Sequence, residues 1–174
     1  MTDFISKVLS MTDDEVNLAI KYSTKQEFGV VSSSFLSQSI SVLNPKKPLC
    51  VKETDTLLFV ISLLRKYSIG SVLVIDKTEK LVGIFTERDC LLKVINTDID
   101  LGNTIISQVM TKDPQTQKFD GTIAFALNLM SLGGFRHIPI VDEDHVPVGM
   151  ISVKDVVDYL VHKMNEDLLN IEEE

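Results

Sequence analysis

The chain has 174 residues, enough for one or two compact units with a sizeable core. Its formal net charge of −8 argues against nonspecific affinity for nucleic acid or an anionic membrane surface. Apolar residues make up 44% of it but nowhere run unbroken for the length of a membrane span, and the opening MTDFISKVLSMTDDEVN lacks the basic start and apolar stretch of a secretory signal. The two cysteines, Cys50 and Cys90, lie far apart in apolar surroundings, which suits free thiols in a reducing cytoplasm better than a disulfide.

Residues 1–45 read as an N-terminal arm. DDEVNLAIKY predicts a helix from about Thr12, and VVSSSFLSQSISV a serine-rich connector that packs on the rest of the chain or on a second subunit. A repeat then begins. Shifting the chain by 66 residues lays 48–95 on 114–161 with no gap, so that Pro48 falls on Pro114, Thr56 on Thr122, Phe59 on Phe125, Asp76 on Asp142, Gly83 on Gly149 and Asp89 on Asp155. We therefore divide the chain into the arm (1–45), a first unit (46–98) and a second unit with an acidic tail (99–174).

Each unit reads in the same order. A short strand is expected at CVK or TQK. A helix follows, with Leu57, Val60, Ile61 and Leu64 on one stripe of the first and Ile123, Ala126, Leu127 and Met130 on the second. SVLVID and HIPIVD have the continuous apolar, β-branched character of buried strands. The polar links KTEK and EDH predict hairpin turns into LVGIFT and PVGMIS. The second unit closes with a helix that places Val153, Val156, Val157, Leu160, Val161 and Met164 on one face, and NEDLLNIEEE extends it into solvent.

The chemistry concentrates where the second hairpin strand ends. Thr86-Glu-Arg-Asp89 and Ser152-Val-Lys-Asp155 both fit the capping box, in which a hydroxyl accepts from an orphan helix N–H. They also recur at one phase of the repeat, behind a glycine and a strand, so that a helix N-terminus opens at the mouth of a sheet, where phosphate is favoured. An Asp there can accept from two adjacent hydroxyls such as a ribose edge presents. Cap and binding site both remain open at this point. No His, Cys and carboxylate set has metal-ligand spacing, and no nucleophile–base pair accompanies the acids.

The segments VMTKDP (109–114), FRHIPIVD (135–142) and VGMISVKD (148–155), with IGSVLVID (69–76) and VGIFTERD (82–89), resemble a tandem cystathionine-β-synthase (CBS) domain pair, or Bateman module, over residues 45–164. The resemblance implies an α/β (α+β) fold of two β-α-β-β-α units packed about a pseudo-twofold axis, with clefts that take adenosine compounds. Carried to matching positions, it makes Asp89 and Asp155 acceptors for ribose hydroxyls and brings Thr86 and Ser152 to phosphate or ribose. Thr111, Lys112 and Pro114 would border the adenine pocket of the second unit, with Ile138 and Pro139 as apolar wall. Arg136 and His137 would point at phosphates, joined by Arg88 and Lys154 beside the acids. Because the first unit has Gly70 and Ser71 where the second has Arg136 and His137, the second-unit site is expected to be the stronger.

The function implied is a cytoplasmic, non-catalytic regulator. It would hold AMP, ADP or ATP as ligand, ahead of S-adenosylmethionine or NAD, need no cofactor or metal, form a homodimer and signal to a regulated protein. A ligand-free scaffold for dimerisation or partner contact is the alternative.

Overall fold

The computed structural model describes residues 33–171, with side chains from 34 to 165; the helix expected from Thr12 lies outside the described residues. A short helix α1 (Ser33–Leu36) and a 3-10 turn (Ile40–Leu43) lead in. The first unit has β1 (Cys50–Lys52), α2 (Leu57–Tyr67), β2 (Ser71–Ile75), β3 (Leu81–Thr86) and α3 (Glu87–Asp89), which continues as a π-helical turn over Cys90–Val94. A second 3-10 turn (Ile106–Gln108) precedes β4 (Thr111–Lys112), α4 (Ile123–Gly133), β5 (His137–Val141), β6 (Pro147–Ser152) and α5 (Val153–Ile171).

Repeated residues set repeated geometry. Thr56 and Thr122 each cap a helix by accepting the N–H three residues on, from Phe59 and Phe125. Both helices end on a residue in the left-handed region, Ser68 and Gly134. Each hairpin turns on an aspartate: Asp76 Oδ1 accepts from Thr78 and Lys80 N–H, and Asp142 Oδ1 from Asp144 and Val146 N–H. Glu79 and His145, at matching places in those turns, share a φ of 67°.

The expected stripes are the buried ones on α2 and α4, where Leu57, Val60 and Leu64, and Ile123, Ala126 and Met130, face two separate cores. On α5 the expected single face divides. Val153, Val156 and Leu160 pack on the second core, whereas Val157, Val161 and Met164 are about half exposed on the other flank. A third cluster of Leu73, Leu81, Ile84 and Val141 joins the two units, with Cys50 and Met150 packed on it. Both cysteines are free and partly buried.

The sheets show how the units interlock. β1 is parallel to β2, and β2 antiparallel to β3. Antiparallel to β3 lies β4, from the start of the second unit. Reciprocally, Lys46, at the start of the first unit, bridges Met150 of β6. A second exchange pairs Ser39 with Thr122 and Thr56 with Ile105. Ser39 and Ile105 are again 66 apart, as are the fully buried Ile40 and Ile106, so the repeat runs further back than Pro48.

The strand expected at TQK is reduced to one parallel bridge, between Gln117 and Ile140. Gln117 occupies the place of Val51 in the repeat. It is 5% exposed, and neither amide atom has a partner. Its carboxamide lies against Gly121, where a Cβ would fall 2.9 Å from its Oε1; the corresponding Asp55 instead accepts the Lys52 N–H at 2.8 Å. An unsatisfied buried amide costs about 1–3 kcal/mol. Gln117→Val is expected to raise the urea midpoint, and Gly121→Asp to lower it in the wild-type background. In the Gln117→Val background Gly121→Asp should be tolerated better than additivity allows, because the obstructing amide has gone.

Candidate functional site

A cavity of about 500 Å³ opens where the two units meet. Thr86, Arg88 and Asp89 enter from the end of β3 and the start of α3, Thr111 from β4 and Asp113 and Pro114 from the residues just after it, and Gly133 to His137 from the end of α4 and the start of β5. Gly70, Ile84, Leu92 and Gln115 complete the wall.

The capping box forms in full. Asp89 Oδ2 accepts from the Thr86 N–H (3.0 Å) and Oγ1 (2.7 Å), and Thr86 Oγ1 accepts from the Asp89 N–H (3.1 Å). This uses one carboxylate oxygen. The other, Oδ1, accepts from Thr111 Oγ1 at 3.0 Å and from Lys93 Nζ at 2.7 Å. Helix cap and polar site are therefore two oxygens of one side chain. Burial alone would raise the Asp89 pKa, but the bonds from Lys93, Thr86 and Thr111 outweigh it and hold the carboxyl below its ordinary value.

Two of the chain's three arginines line this cavity. Arg88 Nη1 donates to Gly134 O at 3.0 Å, at the negative end of α4, and so ties the two units across the mouth. The Arg136 side chain is exposed and makes no hydrogen bond or ion pair among the described residues. His137 is half buried beside Gly70, where a Cβ would stand 3.6 Å from its Cε1 and 3.4 Å from Glu87 Oε2. Burial, then the Arg136 charge, push the His137 pKa down, against the opposing pull of Asp155 and Glu87.

Of the residues expected from sequence, the fold gathers Thr86, Arg88, Asp89, Thr111, Pro114, Arg136 and His137 in one cavity. Ile138 and Pro139 are buried in β5 and do not line it, and Lys112 faces outward from β4. Ser152, Lys154 and Asp155 stand at the start of α5, apart from it. There the cap repeats, with Asp155 Oδ2 accepting from Ser152 N–H and Oγ at 2.7 and 2.6 Å, while Oδ1 meets Lys46 Nζ at 3.6 Å. The cations of the second unit thus face the acid of the first, across the pseudo-twofold rather than along the chain. Lys93, absent from the expected set, had one signal in the sequence: it lies four residues after Asp89, on the same side of a helical turn.

The CBS domain profile matches residues 41–96 and 106–162, more than half of the chain. The chain belongs to the CBS domain family. A 17.7 kDa uncharacterised protein of Acidianus ambivalens is 32% identical over 131 residues, which cover 74% of this chain and 78% of that protein. Other curated relatives are longer, and the chain spans less than two thirds of their length. Among solved structures, a CBS domain protein of Pyrobaculum aerophilum complexed with AMP superimposes with a TM-score of 0.62 at 23% identity, covering 68% of this chain and 89% of that one. A CBS domain pair in complex with 5′-methylthioadenosine and S-adenosylmethionine gives 0.60 at 21%, covering 70% and 98%. Among the described residues no helix is long and apolar enough to cross a membrane, and no group of metal-binding side chains occurs.

The His137 shift gives this CBS pair a pH signature. A histidine with a folded pKa below its unfolded value of about 6.5 is protonated first in the unfolded chain, so stability falls as pH drops through that value. Asp89, shifted down from a lower starting point, keeps its contribution until pH falls below its unfolded value, near 4. Between pH 7.5 and 5.5 the wild type should lose urea resistance, and His137→Gln should lose less over the same interval.

Proposed function

We propose that this CBS pair is a non-catalytic regulatory protein of the cytoplasm that binds an adenine nucleotide of the AMP, ADP or ATP class in the cavity at Asp89. The observation that carries the reading is the pairing, in one cavity of ligand size, of a carboxylate held in its charged form with an unpaired guanidinium from the other unit. Cavities of roughly 300–1,000 Å³ with a few convergent polar groups are the usual form of small-molecule sites. Sugar hydroxyls would donate to Asp89 Oδ1 in exchange for Thr111, and phosphate oxygens would accept from Arg136 and Arg88. Ile84, Leu92, Pro114 and Phe135 offer apolar surface for a base. The adenosine ligands of the two related structures support this choice of class.

Signalling follows from the placement. Thr111 sits on β4, which is bonded to the sheet of one unit and leads into the other. A ligand that engages Asp89, Thr111 and Arg136 together favours one relative arrangement of the units, and a regulated partner reads the difference.

The reading includes a homodimer. Exposed apolar residues recur at matching positions of the repeat: Phe59 and Phe125, Leu91 and Val157, Ile95 and Val161. Exposed apolar positions related by the repeat suit an isologous contact with a second copy. The same residues favour a second reading, in which the pair is a ligand-free scaffold for dimerisation or partner contact.

Calorimetry with AMP, ADP and ATP separates the two. Saturable binding is expected, with Asp89→Ala weakening it at least tenfold, since a hydrogen bond to a charged group contributes about 1.5–3 kcal/mol. Absence of heat and of any thermal shift at millimolar nucleotide, S-adenosylmethionine and NAD included, would leave the scaffold. Sedimentation equilibrium should give twice the 19.4 kDa chain mass, and Val157→Glu with Val161→Glu should restore the monomer.

A further inference from the structure

The surroundings of Asp89 and of Asp155 come from one duplicated plan, but most of the residues around the two acids have diverged in a consistent direction. Around Asp89, Lys93 Nζ donates to Asp89 Oδ1 (2.7 Å), Val109 O (3.0 Å) and Thr111 Oγ1 (3.1 Å), which engages all three of its protons. It thereby fixes the carboxylate and holds the strand between the units against the cavity. The counterpart of Lys93 is Tyr159. Its ring stacks on Phe35 with centroids 6.0 Å apart, and its hydroxyl pairs with Gln38 Oε1 at 3.1 Å.

The other positions follow suit. Thr111 is matched by Pro45, which brings no hydroxyl to Asp155; its Cβ lies 3.2 Å from where a Gly149 Cβ would stand. Asp155 Oδ1 meets Lys46, and the Lys46 carbonyl accepts the Met150 N–H at 3.0 Å. Arg136 is matched by Gly70, so no guanidinium occupies that place. Leu92 is matched by Asp158, which pairs with Lys154, the counterpart of Arg88. Where the first unit presents donors to a cavity, the second turns the same positions onto residues 35–46 or onto one another.

We infer that the two places have divided their roles: each chain takes one nucleotide, at Asp89, with Lys93 as the positioning residue, while the surroundings of Asp155 are a joint that fastens residues 35–46. This rests on the nucleotide reading above. The surface pair Lys46–Asp155 is weak by itself, because Lys46 is largely in water. What removes the second site is the loss of the hydroxyl, the guanidinium and the positioning lysine together.

The test is calorimetric titration of the full chain with ATP and with AMP, alongside thermal melting of each variant. One site per chain is expected. Asp89→Asn, Lys93→Met and Arg136→Ser should each weaken binding tenfold or more, with Lys93→Arg recovering most of the loss, and Asp155→Asn should leave both stoichiometry and affinity within twofold. Arg136 is exposed and unpaired, so Arg136→Ser should fold even where Asp89→Asn does not, and it reads the same cavity. Two sites per chain, or a loss in Asp155→Asn matching that in Asp89→Asn, overturns the division of roles while leaving nucleotide binding intact. Failure of the wild type to bind either nucleotide removes the nucleotide reading and this inference with it.

Discussion

The structure depends on an exchange of leading segments. A two-stranded hairpin is marginal by itself, and each unit contributes little more than one: β2 with β3, or β5 with β6. The first becomes a four-stranded sheet only because β1 joins on one side and β4, from the approach to the second unit, on the other. Residues 39–46 do for the second unit what residues 105–112 do for the first, through bridges at Ser39 and Lys46. Neither unit can be withdrawn without stripping edge hydrogen bonds from its neighbour. The Leu73, Leu81, Ile84 and Val141 cluster lies at the joint this creates. The symmetry is imperfect where chemistry forbids it: Leu81 N–H donates to His145 O at 3.0 Å, but the matching residue is Pro147, which has no N–H to return.

The same exchange makes the cavity. Because β4 crosses from one unit to the other, Thr111 arrives beside Asp89 while the chain following it builds α4 and β5, whose ends carry Arg136 and His137 to the opposite wall. Acid and cation thus come from different units and share a space only when both are assembled. Residues that serve a unit's own folding have kept their identity through the duplication, as with Thr56 and Thr122, Asp76 and Asp142, Gly83 and Gly149, Asp89 and Asp155. Of those lining the cavity, Asp89 and Pro114 have kept theirs, and most of the rest have not.

That contrast explains what could be read from sequence. The stripes on α2 and α4, the two apolar strands, the hairpin turns and both Ser/Thr–Asp caps depend on neighbours within a few residues, and periodicity reports such neighbours directly. The grouping of the site was not legible in the same way. Arg136 and His137 precede Asp155 within one unit, and nothing in the local pattern signals that the fold also brings them to the wall of the cavity at Asp89, while His137 stays within reach of the Asp155 charge. The face of α5 was overread for a related reason. Its apolar positions form one continuous stripe by sequence, but the core covers only the side bearing Val153, Val156 and Leu160. Gln117 gave no sign of being buried, because a polar residue in a polar stretch carries no periodic signal.

Electrostatics raises a final constraint on the site. A chain of net charge −8 repels a nucleotide at long range, yet at physiological ionic strength that repulsion decays over about 8 Å. Inside the cavity the local balance differs from the global one. Lys93 neutralises Asp89 within hydrogen-bonding distance, and Arg88 and Arg136 add two guanidinium groups. The acidic surface therefore discourages polyanions such as nucleic acid, which would have to lie across it. A single small anion need satisfy only the few groups that converge at the joint. Selectivity by size and by local geometry, without steering from afar, is what this arrangement of charge allows.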